Sequence, residues 1–113
     1  MAKVLARVEG LDGQIELLPD RIVISREGLW NAIKYGFNSR REIPLGAISE
    51  VMFRGGSALR FGEIEFVRSG RSTDEKKSSK QSTVRFGKVK NQEFEVFKEK
   101  VFVLMEKVSR QHS

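Results

Sequence analysis

The chain has 113 residues, of which 39% are apolar and 32% are charged. This length supports one hydrophobic core and not two, so we predict a single domain over residues 1–113. The absence of cysteine excludes a disulfide framework and thiolate chemistry and favours a cytoplasmic location, and no stretch of about 18 apolar residues is present to span a membrane.

The net charge of +6 is concentrated in one segment. Residues 1–68 contain ten Lys or Arg and nine Asp or Glu, which gives +1, whereas residues 69–90 contain seven and two, which gives +5. Residues 91–113 contain four of each. A protein that follows a nucleic-acid backbone would carry its charge along a whole face, so this distribution disfavours nucleic acid as a partner.

The first part of the chain predicts a strand followed by a hairpin. Lys3–Val8 suits a first strand, with a short helix as the alternative. Gln14–Leu17 alternates polar and apolar residues, and Ile22 and Ile24 resume this spacing in a segment that runs to Arg26, which is the period of a strand with one buried face. Between them, Leu18–Arg21 contains Pro and Asp, which favour a turn. We therefore predict that these two strands pair.

Residues 29–37 form the least regular part of the sequence and contain its only Trp and Tyr, Trp30 and Tyr35. These aromatics alternate with basic residues, a pattern that can bind single-stranded nucleic acid through base stacking. Burial is the more common use of aromatic side chains, so we predict that Trp30 and Phe37 close the mouth of a barrel. If Trp30 is exposed instead, it is a candidate contact for a protein partner.

The central strands contain a change of apolar phase. A strand over Arg41–Ile43 ends at Pro44. In the next strand, Ile48–Arg54, the apolar positions change from even to odd numbers near Ser49 and Glu50. A slip of one residue moves side chains to the other face of a sheet, so we predict a bulge or sharp bend at this point.

A similar change falls in the following strand. Leu59 and Phe61 are odd-numbered, whereas Ile64 and Phe66 are even-numbered, with Gly62 between the pairs. We expect both pairs to face the core, with a second bend at Gly62. Two bends in neighbouring strands are typical of a strongly bent sheet.

The remaining residues predict a loop, a strand and a helix. Residues 69–81 contain no apolar side chain that could offset their ordering entropy, so we predict a flexible basic loop. Thr83–Phe86 alternates as a strand. Residues 91–110 contain no Pro or Gly and predict a capping helix with Asn91 as its N-cap. The apolar stripe of this helix consists of Phe94, Phe97, Val101, Leu104, Met105 and Val108.

The predicted fold is mainly β with one α-helix. Six or seven short antiparallel strands in a strongly bent sheet or partly open barrel, capped by a C-terminal amphipathic helix, follow the order of a pleckstrin-homology-like (PH-like) domain. The segments that carry the resemblance are Asp12–Glu16, Arg41–Leu45 with Ile48 and Val51, Phe61–Phe66, and Thr83–Phe86 followed by Gln92–Phe94. Together they resemble a bacterial family of small, largely uncharacterised PH-like domains.

The resemblance implies a class of function as well as a fold. Domains of this family are described as protein-interaction or scaffolding modules, and some bacterial PH-like domains assemble into rings. Eukaryotic PH domains bind phosphoinositides through Lys and Arg clustered around the first hairpin. Here residues 10–13 and 18–21, which connect the early strands, contain two Asp and one Arg, so selective phosphoinositide binding is not expected.

The sequence argues against catalysis. The only histidine, His112, lies in the last residues of the chain, and there is no cysteine, so no Ser–His or Cys–His arrangement is expected. Asp12, Asp20 and Asp74 lie in predicted turns, where Asp is favoured by local backbone bonding. Without histidine or cysteine ligands, a transition metal would have only oxygen donors. We therefore predict a non-enzymatic protein that uses no metal and no cofactor.

The basic segment is either a solvated loop or a weak site for an anionic surface, membrane lipid or nucleic acid. Each Lys or Arg near an anionic membrane contributes ~1 kcal/mol, so the charge of +5 corresponds to a dissociation constant of roughly 0.1 to 1 mM. Several linked copies would bind more tightly. The residues of this candidate site are Arg71, Lys76, Lys77, Lys80, Arg85, Lys88 and Lys90.

The helix has further apolar residues away from its core stripe. Val96 and Val103 lie almost opposite that stripe, and Phe102 lies to one side of it. A helix that only caps a sheet has no need of them, so we predict a protein-contact surface. Our interpretation is a non-enzymatic PH-like interaction or scaffolding module that forms a homo-oligomer or binds a protein partner. The alternative is peripheral binding of anionic surfaces through residues 69–90.

Overall fold

The computed structural model describes residues 3–26, 40–69 and 82–111. Within these residues, seven strands precede one C-terminal α-helix, so the predicted mainly β fold with a terminal helix is confirmed. The strands are β1 (Ala6–Glu9), β2 (Gln14–Leu17), β3 (Arg21–Ser25), β4 (Arg40–Pro44), β5 (Ile48–Arg54), β6 (Gly62–Arg68) and β7 (Thr83–Phe86). One 3-10 turn, Leu45–Ala47, joins β4 to β5, and another, Lys88–Lys90, leads into α1 (Asn91–Gln111).

The first four strands form an antiparallel sheet in chain order. The predicted pairing of β2 with β3 is confirmed, with Ile15 opposite Ile24 and Leu17 opposite Ile22. All four side chains are buried, because residues two apart in a strand point to the same face. β1 begins at Ala6, later than the sequence pattern predicts.

The last three strands form a second antiparallel sheet in the order β5, β6, β7. The predicted irregularity near Ser49 is confirmed, because the pairing of β5 with β6 shifts register between Ile48 and Glu50. This shift lets Ile48 stay buried while Val51 and Phe53 pack against the same core.

The second predicted change of phase is wrong. Leu59 and Phe61 lie before β6 begins, and their side chains are exposed. The backbone turns here, because the Ser57 N–H donates a hydrogen bond to the carbonyl oxygen of Arg60 at 2.8 Å. A tight turn cannot continue the alternation of a strand, so these two apolar residues do not reach the core.

One hydrophobic core is shared by both sheets and α1. The Phe86 ring stacks on Phe94 of α1, with centroids 4.1 Å apart, and on Phe53 of β5 at 5.8 Å. Stacked pairs of this kind add stabilisation beyond the area that they bury. The predicted helix stripe is confirmed, since Phe94, Phe97 and Val101 are buried and its other members pack against the core.

The predicted N-cap at Asn91 is wrong. Asn91 has helical backbone angles, φ −50° and ψ −48°, because the 3-10 turn Lys88–Lys90 runs straight into α1. An N-cap residue has extended backbone angles and bonds to its own helix. The Asn91 amide instead bonds to Gly56: its oxygen accepts the Gly56 N–H at 2.7 Å, and its nitrogen donates to the Gly56 carbonyl oxygen at 3.0 Å.

A cluster of hydrogen bonds around the buried Arg26 joins the turn between β1 and β2 to β7. Arg26 is buried and donates hydrogen bonds to the carbonyl oxygens of Asp12 at 2.9 Å and Thr83 at 2.7 Å. The Asp12 carboxylate accepts the backbone N–H of Arg85 at 2.9 Å, and the Leu11 N–H donates to the Arg85 carbonyl oxygen at 2.7 Å. These bonds hold the turn between β1 and β2 against β7, the edge strand of the second sheet.

Candidate functional site

The structure describes three of the seven predicted surface-binding cations. Four lie outside the described residues, and their role stays a prediction: Arg71, Lys76, Lys77 and Lys80. Arg85 on β7 and Lys88 in the second 3-10 turn are exposed. Lys90 forms an ion pair with Glu93 at 3.1 Å, which leaves it less suited than the other two to an external anion.

Arg85 belongs to a cluster of arginines beside the loop between β5 and β6, residues 55–61. Across the second sheet, Arg54 lies opposite Glu63, and Glu63 lies opposite Arg85. These three residues line a pocket of about 560 Å³ together with Arg60 of the loop. We call Arg54, Arg60 and Arg85 the arginine pocket. Among the described residues, Glu63 is the only acidic one in the lining of this pocket, and it pairs with Arg54 at 3.5 Å, so the pocket suits an anionic group such as a phosphate.

The β5–β6 loop also presents apolar side chains at this pocket. Leu59 is 96% exposed and Phe61 is 55% exposed, and both line the pocket. Tight turns more often carry Gly, Asn, Asp, Ser or Pro, and an apolar side chain in water has an unfavourable hydration free energy. The loop therefore combines an aliphatic tip with positive charge.

The loop is held at both of its ends. Asn91 bonds to both backbone groups of Gly56 at one end. At the other end, Gly62 packs so closely against Phe86 that an added Cβ would lie 2.5 Å from the ring. Inside the loop, the Leu59 N–H donates to a serine hydroxyl at 3.2 Å. The exposed position of Leu59 thus belongs to an ordered turn.

A second candidate surface is a groove of about 420 Å³ between β1 and α1, which we call the helix–strand groove. Its apolar lining includes Val8 of β1, Val89 of the 3-10 turn, and Val96 and Phe97 of α1. Val89 is 91% exposed, which is unusual for an apolar side chain next to a helix that is otherwise packed on the core.

The predicted contact residues on the outer side of α1 are on the surface. Val96 is 47% exposed, Val103 is 56% exposed and Phe102 is 39% exposed. Val96 and Val103 are seven residues apart in α1, close to two helical turns, so they lie on one line along the helix, and Val89 lies in the 3-10 turn that leads into it. The fourth predicted contact residue, Trp30, lies outside the described residues, and the role of all four stays a prediction.

Metal ligands are not gathered at either surface. Within residues 3–26, 40–69 and 82–111, no three His, Cys, Asp or Glu side chains lie together as a metal site would need. No helix in these same ranges is both long and apolar enough to cross a membrane. The expectation of a protein without catalysis, metal or cofactor stays a prediction.

One arginine outside both surfaces has a shifted pKa. Burial lowers the pKa of Arg41 on β4 from its ordinary value, and the charge of Arg68 lowers it further. Arginine nevertheless stays protonated in proteins, so this residue gives no pH switch near neutrality.

Comparisons with protein-family models, curated proteins and solved structures find no significant match. The two surfaces are therefore the basis for assigning a function.

Sequence reasoning found part of each surface and missed the rest. It gave no role to Arg54 and Arg60, and it placed Leu59 and Phe61 in the core. The available signal was Gly55–Ser57, a combination that marks a turn. A turn at that point would have put the next apolar residues in solvent.

Proposed function

We propose that this protein is a non-enzymatic interaction module with a PH-like fold, and that it self-associates through the outer side of α1. The order of the elements supports the fold: a four-stranded antiparallel sheet, a three-stranded antiparallel sheet and then one helix. Both sheets and the helix contribute to one core, as expected when a terminal helix covers a bent sheet.

The observation that supports this interaction is the exposure of Val96, Phe102 and Val103 on α1, with Val89 exposed in the 3-10 turn that precedes it. The opposite side of α1 is already buried through Phe94 and Phe97, so folding does not require these side chains. Exposed apolar side chains have an unfavourable hydration free energy that a contact removes.

A second copy of the chain is the partner that this surface fits best. Exposed charges of both signs lie beside the valines, with Glu99 next to Lys100 and Glu106 next to Lys107. A surface with mixed charges can be complementary to itself, as a closed twofold contact requires. A surface of one sign would repel its own copy.

The test replaces this surface with charge. For the triple variant Val96→Lys, Phe102→Glu and Val103→Lys, we expect a folded monomer that retains its helical circular-dichroism signal. The measurement is molar mass by light scattering at about 0.1 mM, where weak contacts begin to be populated. Met52→Lys is the control, because Met52 is an exposed apolar residue on β5, and this variant should keep the wild-type mass. A wild-type protein that is monomeric at this concentration refutes self-association and leaves a different protein as the partner.

Binding to an anionic surface is the second candidate function, and the arginine pocket favours it. The sequence assigns this role to residues 69–90, which include Arg85 and Lys88. Arg54 and Arg60 line the same pocket as Arg85, so positive charge extends from that segment to the β5–β6 loop. Phosphate-driven binding falls steeply with salt, whereas apolar association does not, so a salt titration separates the two candidate functions.

A further inference from the structure

We propose that the β5–β6 loop inserts the Leu59 side chain into an anionic lipid bilayer while the arginine pocket binds lipid phosphate groups. This inference rests on the second candidate function, because it names the anionic surface and the residue that enters it. The inserting residue lies on the β5–β6 loop, whereas the family resemblance associates phosphoinositides with the first hairpin. The β1–β2 turn borders this site, since the Leu11 N–H donates to the Arg85 carbonyl oxygen at 2.7 Å.

The turn presents Leu59 at a fixed position. The Ser57 N–H bonds to the Arg60 carbonyl oxygen at 2.8 Å, so Ala58 and Leu59 form a two-residue tip. The Asn91 amide fixes the base of the loop. A turn that is already ordered loses little conformational entropy when it enters another environment. The loop can therefore insert without first folding.

The order of apolar and basic side chains in the loop matches the order of acyl chains and phosphate groups at a membrane surface. Leu59, at the tip, is the most exposed large apolar residue among those described. Arg60 follows it directly, and Phe61 lies at the base of the turn. An amphipathic element at a bilayer places its apolar groups at the acyl boundary and its cations among the phosphates. The aliphatic tip with arginines behind it matches this arrangement.

The charged residues around the tip also suit an anionic membrane surface. The arginine pocket supplies three guanidinium groups, which bind phosphate oxygens through paired hydrogen bonds. Lys88 lies behind the loop, since its backbone nitrogen would be 3.0 Å from a Cβ added to Gly56. Two carboxylates lie beside these cations, and each is paired with an arginine: Glu63 with Arg54, and Asp12, which accepts the Arg85 N–H, with Arg26. The net charge around the tip is therefore positive.

A bilayer fits these features better than nucleic acid or an acidic protein. Single-stranded nucleic acid is bound on several aromatic faces that stack with successive bases. Residues 55–61 contain one aromatic residue, Phe61, and the tip residues Ala58 and Leu59 are aliphatic. An acidic protein would have to hold an apolar cavity inside a ring of carboxylates, and burying those charges is costly. A bilayer has apolar chains directly beneath its phosphates.

The insertion can be measured with one labelled cysteine. The chain has none, so Leu59→Cys provides a single site for the fluorophore NBD. On vesicles of phosphatidylserine and phosphatidylcholine at low salt, we expect its emission to rise and to shift to shorter wavelength, with no change on phosphatidylcholine alone. A label at Ser109→Cys, which is exposed near the end of α1, should show no shift.

Cosedimentation without a shift at position 59 overturns insertion but leaves electrostatic binding intact. No cosedimentation overturns insertion and the second candidate function together.

Affinity measurements identify the residue responsible. Leu59→Ala should weaken partitioning about fiftyfold, because three carbon atoms no longer leave water and each contributes about 0.8 kcal/mol. Leu11→Ala is the matched control, since Leu11 is an exposed leucine at another hairpin tip, and it should change partitioning by less than about twofold. Arg60→Gln should weaken binding about fivefold and reduce its salt dependence.

A larger effect at Leu11 than at Leu59 overturns the loop assignment. Displacement of the vesicles by a single-stranded oligonucleotide at equal phosphate concentration overturns the choice of a bilayer.

Discussion

Replacing Asn91 with serine separates two roles for this residue. Serine and asparagine are about equally good N-cap residues, so an N-cap would tolerate the change with little loss of stability. In the structure the Asn91 amide bonds instead to the N–H and carbonyl groups of Gly56, at 2.7 and 3.0 Å. A serine hydroxyl is too short to reach both groups, so we expect both hydrogen bonds to be lost.

The expected effect is a loss of about 2 kcal/mol in the free energy of unfolding. Each hydrogen bond contributes about 0.5–1.5 kcal/mol net, which gives about 1–3 kcal/mol for two. Gly56 is partly exposed, so water replaces part of what the amide supplied, and the middle of the range applies. Asn91→Ala should show a similar loss, reduced by about half a kcal/mol because alanine has the higher helix propensity.

Two measurements check this expectation. Urea denaturation followed by circular dichroism gives the free energy of unfolding, and hydrogen exchange at the Gly56 amide reports on the loop directly. Gln92→Ser is the matched control, because Gln92 is the next residue of α1 and is exposed, and its effect should stay within about 0.5 kcal/mol. If Asn91→Ser behaves like this control and the Gly56 amide stays protected, the amide pair does not hold the loop.

Two further substitutions probe the interior. Phe97→Ala should lower the free energy of unfolding by ~3–5 kcal/mol, because Phe97 is buried and its truncation leaves a cavity; an unchanged urea midpoint would contradict the assignment of the buried helix face. Arg26→Met keeps an unbranched apolar stem but removes the guanidinium group and its hydrogen bonds to the Asp12 and Thr83 carbonyl oxygens, and we expect denaturation to show a loss of about 2–4 kcal/mol. The exposed Arg7→Met is its control, and equal losses in the two arginine variants would refute a special role for the buried cluster.

The elements with regular apolar spacing were predictable from the sequence. The hairpin of β2 and β3 and the stripe on α1 follow from burial of one face, which imposes a period of two or 3.6 on apolar positions. The role of Asn91 was not predictable in this way. Its side chain bonds to Gly56, 35 residues earlier in the chain, and no local pattern specifies that contact.

The candidate surfaces were predictable only where one element defines them. Val96 and Val103 were assigned correctly to the outer side of α1, because helical geometry alone places them opposite the core stripe. The arginine pocket depends on the register of three strands and on the turn before β6, so local spacing could not reveal it. Leu59 and Phe61 were misplaced because two apolar residues with one residue between them look the same in a turn as in a strand.

The two candidate surfaces are adjacent but distinct. Lys88 packs behind the β5–β6 loop, whereas the next residue, Val89, lines the helix–strand groove. If a contact through the outer side of α1 leaves both loops accessible on one side of the pair, the pair presents two loops to the same bilayer. Because a linked second site binds at a high effective concentration, a bilayer affinity that is weak for one chain would become substantial for the pair. On these two proposals, self-association through α1 is the step that converts a transient bilayer contact into a stable one.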